Sequence, residues 1–217
     1  MKPLALLPIA LLAASAILNG QTPAAAQPAA AVTGEWSPLF NGKDLTGWMN
    51  AAGADSKWRI EDGALTGHIW TKARFGNFVL ELEFKTTGNS GVFIRTDEPK
   101  SCVQTGIEIQ VENPGGPDRH SVGAIYDLVA PSKNAAKADE WNKYVITAKD
   151  ALITVQLNGE LVSSIDLDQW TQAGKNPDGS GNKFKRPLKD WKRNGHIGLQ
   201  DHGAKVFYRN LRIKPLP

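Results

Sequence analysis

Apolar and polar positions alternate in short runs along this chain. The cleanest run is Phe78–Lys85, FVLELEFK, where Phe78, Leu80, Leu82 and Phe84 face one way and Val79, Glu81, Glu83 and Lys85 the other. Period two predicts a half-buried strand, because a helical period would scatter the four large residues around the axis. Two further runs lie between Gly91 and Val111, joined by a Pro-containing loop. In the first, Val92 and Ile94 share a face and Phe93 and Arg95 the other. In the second, Ile107, Ile109 and Val111 share a face opposite Glu108 and Gln110. Burying the Ile/Val side would display Arg95, Glu108 and Gln110 together, either as a polar binding face or as the solvated side of an ordinary antiparallel sheet.

The same reading predicts strands at Trp58–Ile60, Ala64–Thr66, Gly123–Asp127, Trp141–Ala148, Leu152–Leu157, His196–Gln200 and Lys205–Lys214. Glu61-Asp62-Gly63 is a turn between the first two. Asn158-Gly159 separates LITVQL from ELVSSIDL and is the strongest hairpin signal, since both central residues of that turn need positive φ. Glu112–His120 reads as loop, and Ala130–Glu140 as a connector with one helical turn. Trp170–Asp190 is a loop long enough to invite a functional reading. At least ten short strands without a long amphipathic helix predict an all-β fold, a two-sheet sandwich or jelly roll.

Composition narrows the picture. The 217 residues include 21 Gly, 13 Pro and seven Trp, in keeping with many turns, and suffice for one domain with its own core. A formal net charge of +3 is too small to imply nucleic acid, and the Lys/Arg of Lys175–Arg193 show no spacing tied to an aromatic platform, so they read as a solvated loop. The N-terminus has the parts of a secretory signal: Lys2, the apolar run Leu4–Leu18, and Ala24-Ala25-Ala26 before Gln27. The run falls short of the ~20 apolar residues of a spanning helix, so no stable membrane anchor is expected. The expected division is a signal peptide over 1–26, an Ala/Pro lead-in over 27–33 and a single domain over 34–217, exported to a bacterial periplasm or secreted. Cys102 is the single cysteine, so no internal disulfide forms.

Several blocks carry a resemblance. They are Pro38–Trp48 (PLFNGKDLTGW), Asn89–Arg95 (NSGVFIR), Gly106–Gln110 (GIEIQ), Gly123–Asp127 (GAIYD), Glu140-Trp141-Asn142, Leu157-Asn158-Gly159, Gly198–Gly203 (GLQDHG) and Phe207–Lys214 (FYRNLRIK). In these blocks, spread in order over about residues 35–217, the chain resembles the 3-keto-disaccharide hydrolase family, once catalogued as DUF1080. The resemblance implies a concanavalin A-like β-jelly roll with a sugar-binding concave face, a small carbohydrate as partner, and cleavage of glycosides already oxidised to a ketone at C3.

A C3 ketone acidifies the C2 hydrogen. Removing that proton gives an enolate that expels the C1 substituent, and water added to the unsaturated sugar completes a net hydrolysis. Such a site needs a base near C2, a cation or donor at the enolate oxygen, and an acid for the leaving group. His202, at a strand-to-turn junction, suits either proton role. Glu108 is the candidate base, and Arg95 the candidate enolate stabiliser. Gln110 and Gln200, which do not titrate, are candidate hydroxyl binders, with Asp201, His120, Tyr126 and Lys133 behind them. One or two of the seven Trp are expected at the sugar. No cofactor is required by any motif. A divalent metal is left open, because His120, Asp127, Asp201 and His202 could meet in space without matching a local metal spacing. Oligomeric state is left open as well.

Two rival readings stand beside this one. Ordinary glycoside hydrolysis needs two carboxylates about 5–5.5 Å or about 6.5–9.5 Å apart. Glu108 and Glu112 on a straight strand would sit roughly 13 Å apart at about 3.3 Å per residue, and the nearer same-face position is Gln110. A non-catalytic carbohydrate-binding module would keep the sugar face and dispense with His202.

Overall fold

The computed structural model describes residues 34–217 other than 52, 54–58, 62 and 67. The expected leader and lead-in, together with Trp58 and Asp62, lie outside the described residues. Thirteen strands are found among the described residues, in two antiparallel sheets. In chain order they are β1 (Ser37–Pro38), β2 (Trp48–Met49), β3 (Arg59–Glu61), β4 (Ala64–Thr66), β5 (Ile69–Thr71), β6 (Phe78–Thr86) and β7 (Ser90–Thr96). Then come β8 (Ile107–Val111), β9 (Asn142–Lys149), β10 (Leu152–Leu157), β11 (Glu160–Asp166), β12 (His196–Leu199) and β13 (Val206–Pro215).

The larger sheet runs β11-β10-β9-β6-β13-β4-β3, with β1 also paired to β13. The smaller runs β2-β5-β12-β7-β8. The all-β sandwich expected from the alternation is therefore what forms. β6 alternates buried and half-buried residues along its whole length. Its Phe78, Leu80, Leu82 and Phe84 meet Val92, Ile94, Ile107, Ile109 and Leu199 of the smaller sheet in one core. The Tyr144 hydroxyl donates across the core to the Gln110 carbonyl, and Ser90 Oγ lies 2.6 Å from Tyr208 Oη. These bonds satisfy polar groups that burial would otherwise penalise, and they fix one sheet against the other.

The β10–β11 hairpin turns at Asn158 (φ 52) and Gly159 (φ 87), as that dipeptide requires. Three expectations are corrected. Gly123–Asp127 is not a strand: Gly123 (φ 85) and Asp127 (φ 66) take left-handed backbone, and the segment folds as turns. It still caps the free edge of β8, through Tyr126 N to Glu108 O (2.9 Å) and Gln110 N to Ala124 O (3.0 Å). Ala130–Glu140 forms no helical turn. The loop between β7 and β8 carries a 3-10 turn, Pro99–Ser101, and a short helix, α1 (Cys102–Thr105).

The third correction concerns Arg95. Strand pairing places His196 opposite Thr96 but Gly198 opposite Phe93, so β7 holds an extra residue at the Ile94–Arg95 step. Arg95 sits there at φ 50. A bulge re-aims the side chain it carries, and Arg95 no longer shares the Glu108 face.

Candidate active site

The outward face of the smaller sheet is lined by Gly91 and Phe93 from β7, Glu108 and Gln110 from β8, and Trp70 from β5. Trp70 and Phe93 are fully buried, with rings 5.6 Å apart, and they form an apolar floor. A Cβ at Gly198 would collide with the Trp70 ring, and one at Gly91 would stand 2.6 Å from Glu108 Oε1. Glycine at those two positions gives the indole and the carboxylate the space they occupy.

Glu108 is 7% exposed. Burial pushes its carboxyl above the ordinary range, against the opposing pull of Lys183, His202 and a hydrogen bond from Gln200. Lys183 Nζ lies 3.6 Å from Glu108 Oε2 and 3.9 Å from the centre of the Tyr126 ring. Burial pulls the Lys183 ammonium below its ordinary value, while Glu108 and Asp127 oppose the shift. A desolvated carboxylate and a desolvated ammonium are thereby both moved toward proton-transfer competence at neutral pH. Tyr126 is pushed up by partial burial and by Glu108. Its ring meets that of His120 at 4.8 Å, tilted by 57°, and His120 Nε2 is 3.5 Å from Asp127 Oδ1.

Gln110 donates through Nε2 to Asn89 Oδ1 and Glu112 Oε2, both at 3.2 Å. Its Oε1, like that of Gln200, is buried without a donor. Asp201 is exposed and accepts from Gly203 N at 2.8 Å. His202 is exposed beside it. Glu108, His202, Gln200, Tyr126 and His120 are thus drawn into one neighbourhood, with Gln110 next along β8.

Two predicted residues are engaged elsewhere. Arg95 donates to the carbonyls of Gly76 (2.9 Å) and Asp150 (2.6 Å) and to Asn77 Oδ1 (3.1 Å). Burial, with Arg193 nearby, lowers its guanidinium to about 10. These bonds tie the bulge of β7 to the ends of the larger sheet. Lys133 pairs with Glu160 at 2.7 Å, both side chains half exposed. Among the described residues no three His, Cys, Asp or Glu side chains converge as a metal site.

Sequence reasoning missed two residues. Lys183 sits in the long loop that reads as solvated; loop length alone hinted at function, but no local pattern singled out one lysine of the run. His68 precedes β5, its ring 5.5 Å from Trp70, and burial lowers its imidazole against the pull of Asp201.

The chain matches the family model of 3-keto-alpha-glucoside-1,2-lyase-like domains over residues 35–214. A 3-keto-disaccharide hydrolase of Bacteroides thetaiotaomicron is 29% identical, over 82% of this chain and 77% of that protein. Two crystal structures of glycosyl hydrolases, assigned as such without proof of activity, from Parabacteroides distasonis superpose with TM-scores of 0.75 and 0.71. They are 34% and 30% identical, cover 84% of this chain, and are themselves covered over 100% and 94% of their lengths. A Bacillus subtilis protein of galectin-like fold, 12% identical with TM-score 0.52 and covering 83% of this chain and 94% of its own, shares the fold alone. With the family model spanning nearly the whole described chain, the protein belongs to the family of 3-keto-alpha-glucoside-1,2-lyase-like domains, among enzymes of the glycoside-hydrolase type.

Proposed function

We propose that the protein cleaves glycosides whose sugar carries a ketone at C3. Glu108 removes the C2 proton. Lys183 stands over the enolate oxygen and holds its developing charge, the part the sequence reading gave to Arg95. The electron pair of the enolate reforms the C3 ketone, makes the C1–C2 double bond and expels the C1 oxygen, which takes a proton from His202. Water then adds its hydroxyl to C1, a proton returns to C2, and the sum is hydrolysis.

The observation that carries this reading is the buried Glu108 carboxylate with its raised pKa, facing the Lys183 ammonium at 3.6 Å. A base whose pKa is raised from the carboxylate range and a fixed cation are what proton abstraction beside a carbonyl needs. The donor-free amide oxygens of Gln110 and Gln200 would be filled by sugar hydroxyls. The paired carboxylates of ordinary glycosidases find less support. Asp127 is committed to the backbone of Lys183, Asp201 to its own turn, and Glu112 lies just past the end of β8, four residues from Glu108 and bonded to Gln110.

Incubating the protein with a 3-keto-glucoside and with its unoxidised parent, followed by mass spectrometry of the products, tests the reading. Cleavage of the keto form alone is expected. Cleavage of the parent would return the site to ordinary hydrolysis, and binding of both without cleavage would make it a carbohydrate-binding module. The reading also takes the chain to be exported after loss of residues 1–26. N-terminal sequencing of protein from its native cells checks this, and a start at Met1 would sink it.

A further inference from the structure

Lys183 lies on a loop, yet its backbone is gripped on both sides. Its N–H donates to Asp127 Oδ2 at 2.6 Å. Its carbonyl accepts from Gln104 Nε2 at 3.0 Å, and Gln104 Oε1 in turn accepts from Lys185 N at 3.0 Å. Gln104 belongs to α1 and Asp127 to the turn that caps β8. Asp127 itself is held at φ 66 by donating its N–H to Arg119 O at 2.9 Å. A non-glycine residue in left-handed backbone is strained and persists only where its surroundings impose it. Beyond Lys183 the loop is pinned by Phe184, which is buried against Trp191 with rings 5.2 Å apart. Two segments distant in sequence therefore converge on one residue, the one whose side chain meets Glu108.

We infer that Gln104 and Asp127 are positioning residues whose role is to hold Lys183 against Glu108. The inference rests on the reading of Lys183 as the catalytic cation. Gln104 is the cleaner half of the clamp, because it is uncharged and touches only backbone: its amide matches one donor and one acceptor of the 183–185 segment at once. Asp127 adds charge as well as a hydrogen bond. The groups that face Glu108 include Lys183, Cys102, Tyr126, Tyr208 of β13, and Gln200 and His202 from the segment after β12. Lys183 is the one whose backbone the clamp bonds directly, while Cys102 shares α1 with Gln104 and Tyr126 adjoins Asp127, so the Lys183→Met titration fixes the cation's own share.

The test is the titration of the Glu108 carboxyl, followed by NMR of carbon-13-labelled glutamate in the full chain. The chains compared are wild type, Lys183→Met, Gln104→Met and Gln104→Asn. The Met variant keeps side-chain bulk without either hydrogen bond; the Asn variant is polar but too short to make both. Lys183→Met sets the titration with the cation gone, displaced to higher pH. Both Gln104 variants are expected to move in that same direction, with kcat on a 3-keto-glucoside down roughly 10- to 100-fold, the scale of a misplacement near 1 Å, and KM little changed. A Glu108 titration coincident with wild type in a folded Gln104 variant would overturn the inference. The titration needs no turnover, so a protein inactive on every keto-glycoside would count against the proposed reaction and leave the clamp to be decided by NMR.

Discussion

Replacing Lys183 by Met removes the ammonium 3.6 Å from Glu108 Oε2 and keeps most of the stem that covers Tyr126. At an effective dielectric constant of about 20, unit charges at that separation interact by roughly 4–5 kcal/mol. The Lys183 side chain is 26% exposed, so water screens part of this. Aimed at a developing enolate instead of at Glu108, the same charge is worth about 2.7–4 kcal/mol, or roughly 10²- to 10³-fold in kcat, as for other preorganised donors at an oxyanion. The variant also has a signature in pH. Burial raises the Glu108 pKa and Lys183 restrains it. Glu108 must be ionised to act as base, so without Lys183 the acidic limb of the kcat/KM profile moves to higher pH. Steady-state kinetics on a 3-keto-glucoside across pH reads both effects. A kcat within threefold of wild type, or a limb that moves to lower pH, would refute the role given to Lys183.

Glu108→Gln should abolish turnover while shifting the balance of stability. A carboxyl whose folded pKa is raised contributes stability that is present at low pH and lost as pH rises through that pKa. The variant lacks this loss, so its Tm relative to wild type should improve as pH rises from below the ordinary carboxylate range to neutral; a constant or shrinking difference would contradict the raised pKa. Gly91→Ala places a Cβ 2.6 Å from Glu108 Oε1. Turnover should fall at least about tenfold, since a small misplacement near the chemistry is costly, and overpacking should cost about 1–3 kcal/mol by denaturant titration. Wild-type kinetics in this variant would show that the carboxylate position is not critical. His202→Ala should cost about 10²- to 10⁴-fold for glycosides with alkyl leaving groups and much less for a nitrophenyl group that needs no proton; an equal loss for both would remove His202 from the acid role. Arg95→Met should leave kcat/KM near wild type and lower stability by about 3 kcal/mol or more, because the Gly76 and Asp150 carbonyls lose their donor. A large kinetic defect in a stable Arg95→Met protein would restore Arg95 to the site.

The sandwich was legible in the sequence because its strands keep strict alternation. Phe78–Lys85 states both its conformation and its buried face, and Asn158-Gly159 states its turn. Glu108 and Gln110 were legible for the same reason: on a regular strand, parity decides the face. Arg95 failed on parity as well. One extra residue in β7 reverses the face, and nothing in GVFIRT marks the bulge; its enabling partner, Gly195, lies a hundred positions away and is recognised only when its missing Cβ is seen against the Arg95 backbone. Gly123–Asp127 alternates well enough to pass for a strand, yet Gly123 and Asp127 take left-handed backbone, and the segment's hydrogen bonds to β8 are those of a capping turn. Lys183 was hidden because its position depends on Gln104 and Asp127, and a lysine in a Lys-rich loop shows in sequence only that it can be solvated.

The most direct test of elimination chemistry is to run the reaction of a 3-keto-glucoside in deuterium oxide and locate the label in the released sugar by mass spectrometry and proton NMR. Removal of the C2 proton by Glu108 followed by hydration predicts one deuterium at C2 for each bond cleaved, above the exchange seen with the Glu108→Gln variant. Release of sugar that keeps its original C2 hydrogen would contradict the account.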